Sequence, residues 1–122
     1  MTRFMLKSKI HRATVTDSAL HYEGSLTLDD TLMKAADIFP FEHVHVYNIT
    51  NGHRFETYVI RGEKGSGIIC VNGAAAHLAR KGDLIIIASY GLIEGKKLKS
   101  YQPKLVFVDG NNRVIKKISQ KG

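Results

Sequence analysis

Apolar and polar residues alternate through LKSKIHRATVT and again through HVHVYNIT, the period expected of strands with one buried face. RFETYVI resumes the alternation after Asn51-Gly52, a strong hairpin signal, so it is predicted to pair with HVHVYNIT. LIIIAS is a continuous apolar run and reads as a fully buried strand, while KLVFV-DGNN-RVIKK reads as a late hairpin. Two stretches carry helix signals. DDTLMKAADIF predicts a short helix capped by Asp29 or Asp30 and stopped at Pro40, and AAAHLARKG predicts a second that ends at Gly82. Many short strands with two small helices predict a mainly β fold closed into a barrel, because closure removes exposed strand edges.

Length and composition narrow this to a single domain over residues 1–122, with 43% apolar and 24% charged residues, a balance that suits one buried core. No apolar run is long enough to span a bilayer, and MTRFMLKSK lacks a hydrophobic block with a small-residue cleavage site, which predicts a soluble, cytoplasmic protein without membrane contacts. Cys70 is the only cysteine, so no internal disulfide can form; in GIICVNG it reads as a small buried hydrophobe.

The formal charge of +7 suits either an enzyme for anionic substrates or a non-enzymatic basic β-barrel that binds nucleic acid. Much of the excess lies in GKKLKSYQPK and RVIKKISQKG, where a solvated strand face or tail is the default reading. The aromatics are few and not interleaved with these basic runs, which argues against a stacking platform for nucleic acid.

No phosphate-binding glycine loop or Ser-His-Asp signature is present. His43 and His45 share a strand face, but no third ligand is evident nearby in the chain, so no metal site is assigned. The informative stretch is HYEGSLTL, where Gly24-Ser25 interrupts two strand-like runs. As a turn it is ordinary. As chemistry, a constrained Gly-Ser peptide lets the serine hydroxyl attack the preceding carbonyl, giving an ester whose elimination leaves a pyruvoyl group. A glycine at position 24 would open that approach and tolerate strain.

LKSKIHRATVT, HYEGSLT, TNGHRFETYVI and GSGIICVNGAAAHLARKGDLIIIA resemble, in order and spacing, the pyruvoyl-dependent aspartate 1-decarboxylases, from about Met5 to Ser89; no distinctive match is evident from Tyr90 onward. The resemblance implies a double-psi β-barrel that assembles as a homotetramer with active sites between subunits. It implies self-cleavage between Gly24 and Ser25 into fragments 1–24 and 25–122, with Ser25 becoming a covalently bound pyruvoyl cofactor. The implied reaction is decarboxylation of L-aspartate to β-alanine for pantothenate synthesis, through a Schiff base to the substrate amine; whether a maturation factor assists cleavage stays open.

The same resemblance assigns roles by position. Thr57 falls where a hydroxyl steadies the oxyanion during self-processing and contacts the substrate. Tyr58 matches the proton donor to the substrate carbon, a role open to a phenol. Arg54 matches the clamp on a substrate carboxylate, with Lys9 a second positive charge and His11 a weaker candidate on the same strand face. Asn72 and Gly73-Ala74-Ala75 precede the second predicted helix, whose N–H groups suit a carboxylate. Tyr22, beside the cleavage point, is a further candidate. These positions conflict on one flat strand. Thr57 and Tyr58 should face opposite ways, and Arg54 lies roughly 13 Å from Tyr58 at about 3.3 Å per residue, so either twist and a bulge re-aim the side chains or the site takes residues from two subunits, and the resemblance favours the second.

Overall fold

The computed structural model describes residues 1–119. The alternating segments form strands β1 Thr2–Thr14, β2 Asp17–Ala19, β3 Ser25–Asp29, β4 His43–Asn48, β5 Arg54–Gly62, β6 Ile69–Asn72, β7 Leu84–Glu94, β8 Lys104–Val108 and β9 Val114–Ser119. They join in the order β2-β6-β3-β5-β4-β7-β1-β8-β9, with parallel pairings of β1 with β8, β2 with β6 and β3 with β5. This mainly β architecture, with its parallel crossings between non-consecutive strands, is consistent with a double-psi β-barrel.

The expected closure is incomplete. Among the described residues β2 and β9 remain edges of the ladder. The β1–β2 junction instead ties the start of β7 to β6 across the ladder: the Val15 N–H donates to the Asp83 carbonyl at 2.9 Å and the Thr16 N–H to the Ile69 carbonyl at 2.8 Å. The late hairpin forms as expected between β8 and β9.

Both helix expectations are shortened, each for a visible reason. The first, α1, spans Asp30–Ala35, and Asp29 caps it by accepting the Thr31 N–H at 2.8 Å. It ends before Pro40 because Asp37 turns left-handed at φ 54°, and the Ile38 and Asp37 N–H groups close back on the Met33 and Lys34 carbonyls at 2.8 and 3.2 Å. The second contracts to a 3₁₀ helix over Gly73–His77. The Asn48 and Asn51 side-chain amides donate to the Leu78 carbonyl at 3.0 and 3.1 Å, taking an acceptor that a longer helix would need. LIIIAS is also less uniformly buried than expected: Ile85 and Ile87 are fully buried, while Leu84 and Ile86 are half-buried.

β4 and β5 pair antiparallel, as the Asn51-Gly52 signal predicts, from His43↔Tyr58 to Tyr47↔Arg54. Gly52 takes φ 81°, the left-handed region that a turn at this point requires. Along β4, Val44 and Val46 are fully buried and His43, His45 and Tyr47 face outward. The core beneath them joins Ile10, Leu26, Leu28, Val59, Ile69, Val71 and Ile87. Burial of each such aliphatic side chain contributes on the order of 1.5–3 kcal/mol.

Asp29 anchors three segments at the end of β3. Its carboxylate accepts the Gly65 and Gly67 N–H groups at 2.9 and 2.8 Å as well as that of Thr31. Burial alone would raise its pKa, but the three backbone N–H groups outweigh this and hold it below the usual carboxylate range.

Candidate active site

Ser25 opens β3 and is only 2% exposed. β3 lies between β5 and β6, and the antiparallel register with β6 sets Ser25 opposite Asn72. The parallel register with β5, Leu26↔Val59, brings Ser25 level with Tyr58. The Asn72 amide donates to Ser25 Oγ at 3.0 Å and to Thr27 Oγ1 at 3.0 Å, while its oxygen accepts the Cys70 thiol at 3.2 Å. Side chains two apart on a strand share a face. That period puts Ser25 and Thr27 on one side of the contact and Cys70 and Asn72 on the other.

Thr27 and Cys70 have places in this cluster that the linear reading missed. Cys70 is half-buried and hydrogen-bonded rather than a simple core hydrophobe, and burial, with the nearby Asp17 charge, raises its thiol pKa. The period-two pairs Ser25/Thr27 and Cys70/Asn72 were a usable signal, but only the register says that they meet. The Ser25 hydroxyl also makes a long contact of 3.4 Å to the Glu23 carbonyl. Neither this carbonyl nor the Asn72 amide is a titratable base, so the serine is held and oriented rather than deprotonated as in a hydrolase triad.

The glycine that packing requires is Gly73, not Gly24. Gly73 has φ 73°, and a Cβ there would lie 2.7 Å from Gly24 Cα, 2.8 Å from Gly24 N and 3.0 Å from the Tyr22 carbonyl oxygen. Gly24 is exposed and outside the positive-φ region, and a Cβ at that position meets nothing within 4 Å. The space around position 24 is open, and the positive φ and close approach belong to Gly73, which packs against the 22–24 segment. The Tyr22 side chain is exposed.

Tyr58 is 37% exposed and packs near Phe41, with ring centroids 6.4 Å apart. Thr57 points to the opposite face, between Phe55 and Val59 along the inward side of β5, as the alternation requires. Arg54 is remote from Ser25 at the far end of β5, its guanidinium 4.5 Å from the centroid of the Tyr47 ring; with His45, Tyr47, Phe55 and Glu56 it lines a shallow concavity. Tyr47 in turn meets Tyr90, hydroxyl to hydroxyl, at 2.7 Å, and burial together with this contact pushes its pKa up to about 12.

Lys9 and His11 do share a face of β1, but β1 lies beyond β5, β4 and β7 from β3. His11 sits edge-on to Phe107 at 5.5 Å, with a buried Nδ1 that has no partner among the described residues; burial first, then the Lys9 and Arg12 charges, lowers its pKa. One protomer thus brings together Gly24, Ser25, Tyr58, Asn72 and Gly73, and keeps Lys9, His11 and Arg54 apart from them. Ala74 and Ala75 lie on the 3₁₀ helix, the first exposed and the second packed on the core. With Gly73 left-handed and only five residues in that element, it lacks the ordered N–H array expected of a helix start.

Outside this cluster, His43 and His45 have the third neighbour that sequence proximity hid. Glu56 of β5 places Oε1 at 2.8 Å from His43 Nε2 and 3.5 Å from His45 Nε2.

The family model described as aspartate decarboxylase matches residues 1–115, well past Ser89 where the recognisable segments end. The aspartate 1-decarboxylase of Syntrophus aciditrophicus is 59% identical over 114 residues, covering 93% of this chain and 98% of that protein. That of Thermoanaerobacter pseudethanolicus is 58% identical over 115 residues, covering 94% and 98%. That of Syntrophotalea carbinolica is 61% identical over 112 residues, covering 92% and 86%. With similarity of this extent around a Gly-Ser junction whose serine is buried, the chain belongs to the aspartate decarboxylase family.

Proposed function

We propose that this chain is a self-processing decarboxylase that converts L-aspartate to β-alanine and carbon dioxide, supplying pantothenate synthesis in the cytoplasm. The observation that carries the reading is Ser25, buried directly after Gly24 with its Oγ hydrogen-bonded by Asn72, in a chain 58–61% identical to aspartate 1-decarboxylases. In self-processing, Oγ attacks the Gly24 carbonyl and the peptide becomes an ester; elimination then frees residues 1–24 with a carboxylate end and leaves a dehydroalanine at position 25, which water converts to the pyruvoyl group with release of the Ser25 nitrogen as ammonia.

The residues present fit that group. An amide N–H directed at Oγ suits a hydroxyl, an ester oxygen or a ketone oxygen equally, so Asn72 can serve before and after processing. Once formed, the pyruvoyl group supplies an electron sink for the carbon that loses its carboxylate. The chain's own residues do the rest. Tyr58, level with Ser25 on the neighbouring strand, returns a proton to the substrate carbon. Thr57 steadies the oxyanion of self-processing. Arg54, with Lys9, holds the substrate carboxylate through charge-assisted hydrogen bonds. Thr57 faces away from Tyr58, and Arg54 and Lys9 are distant from Ser25 within one protomer, so these roles require a neighbouring subunit to complete each site. Exposed Phe39, Phe41 and Leu92 are apolar surface that a homotetramer would cover.

The test is the mass of purified protein after prolonged warm incubation, followed by an assay for β-alanine. Two fragments split after Gly24, with aspartate-dependent β-alanine formation, are expected, and Ser25→Ala should stay whole. An intact parent chain, even with a maturation factor supplied, would sink self-processing.

A further inference from the structure

We propose that His43, His45 and Glu56 form a three-ligand site for a divalent late transition ion on the outer face of the β4–β5 ribbon. The two histidines alternate with buried Val44 and so project outward together, and the strand register sets Glu56 opposite His45. Glu56 is also the diagonal neighbour of His43, whose own partner is Tyr58. The three ligating atoms all lie within 4.8 Å of one another. Both Nε2 atoms converge on a single carboxylate oxygen, at 2.8 and 3.5 Å.

This convergence favours a cation. Without an ion, the 2.8 Å His43 contact is a hydrogen bond from an Nε2–H, while His45 Nε2 at 3.5 Å stands too far off for a well-formed one. A bound ion accepts the lone pairs of two neutral imidazoles and one carboxylate, which leaves each Nδ1 free to keep its proton. Tetrahedral zinc, with ligand bonds of about 2.0–2.2 Å, places neighbouring ligand atoms roughly 3.3–3.5 Å apart. The His45–Glu56 spacing already falls there, and the His43–Glu56 spacing needs to open by only about half an ångström.

The moving parts can make that adjustment. The side chains of His43 and Glu56 are 62% and 60% exposed, whereas His45 is more enclosed and rests against Tyr47 and Tyr90. The backbone beneath is fixed on both sides of β4, by β5 and β7. Two imidazoles and one carboxylate select zinc, nickel or copper over magnesium or calcium, and three protein ligands leave a position for water. The site is independent of the proposed decarboxylation, since none of its ligands has a role there.

The experiment is equilibrium dialysis of metal-free full-length protein against Zn²⁺, with cobalt substitution to read geometry by its visible absorption. One ion per chain is expected, with a tetrahedral cobalt spectrum. Altering even residues around a metal's ligands costs about 10–100-fold in affinity, so His43→Ala, His45→Ala and Glu56→Gln should each weaken binding by about tenfold or more. Cys70→Ser and His53→Ala should leave it unchanged. A thermal melt on each variant without metal checks that it folds, and zinc should raise the midpoint of the parent but not of the three ligand variants. Equal affinity in folded ligand variants, loss of binding in Cys70→Ser, or one ion per two chains would each overturn the proposal.

Discussion

Asn72 and Ser25 face each other across β6 and β3, and the Asn72 amide is the one side-chain donor to the Ser25 hydroxyl among the described residues. If self-cleavage depends on that orientation, Asn72→Ala should slow it by about 10²–10³-fold, the scale of removing one positioned donor. A time course of fragment appearance by mass spectrometry reads this directly. Cleavage at the parent rate in a folded variant would show that Asn72 only packs.

Gly73 and Gly24 should respond oppositely to the same substitution. In a Ser25→Ala background, where cleavage cannot intervene, Gly73→Ala must accept both a left-handed alanine and contact with the Gly24 backbone, so its melting point should fall by the equivalent of about 1–3 kcal/mol. Gly24→Ala has open space and should melt no lower than the parent. Equal melting points for the two variants would contradict the close approach of residues 22–24 to Gly73.

Tyr58→Phe should separate processing from turnover. Phenylalanine keeps the ring that packs near Phe41 and loses only the phenolic proton. Fragments should appear at close to the parent rate while β-alanine formation drops by about 10²–10⁴-fold. A fully cleaved variant with parent turnover would pass the proton-donor role to water or another side chain. Thr57→Val should show the converse, with slow or absent cleavage.

Asp29→Asn should destabilise the fold by about 2–4 kcal/mol at neutral pH, because a buried carboxylate bonded to three N–H groups is replaced by a weaker, partly mismatched amide. The folded pKa lies below the unfolded value of about 3.9, so the stabilisation is fully present above that value and is lost as pH falls through the folded pKa. Urea unfolding of parent and variant should therefore give a constant difference above about pH 5 that shrinks below about pH 4. A difference that grew on acidification would have the wrong sign.

The strands were legible because side-chain alternation is local: Val44 and Val46 against His43 and His45 can be read without any partner. Element ends were less legible. Asp37 supplies the left-handed turn after α1 that a glycine would have announced, and the second helix is shortened by Asn48 and Asn51, some thirty residues away in the chain. The Gly-Ser junction stood out through its neighbours, but the Cys70–Asn72–Ser25 contact and the approach of Glu56 to the two histidines depend on register, a property of paired strands that neither strand carries alone. The close contact of Gly73 with residues 22–24 was hidden for the same reason.

β1 lies between β7 and β8, paired to both, and β2 is held by β6. A cut after Gly24 therefore leaves the short fragment clamped within the sheet. It also changes how the molecule can be remade. Before the cut, one chain carries every strand and refolds as a unimolecular process; afterwards, lost structure returns only if two separate peptides meet again, at a rate set by their concentration. Such a cut would make reassembly bimolecular, with endurance governed at low concentration by how slowly β1 leaves its neighbours rather than by the balance between folded and unfolded chains.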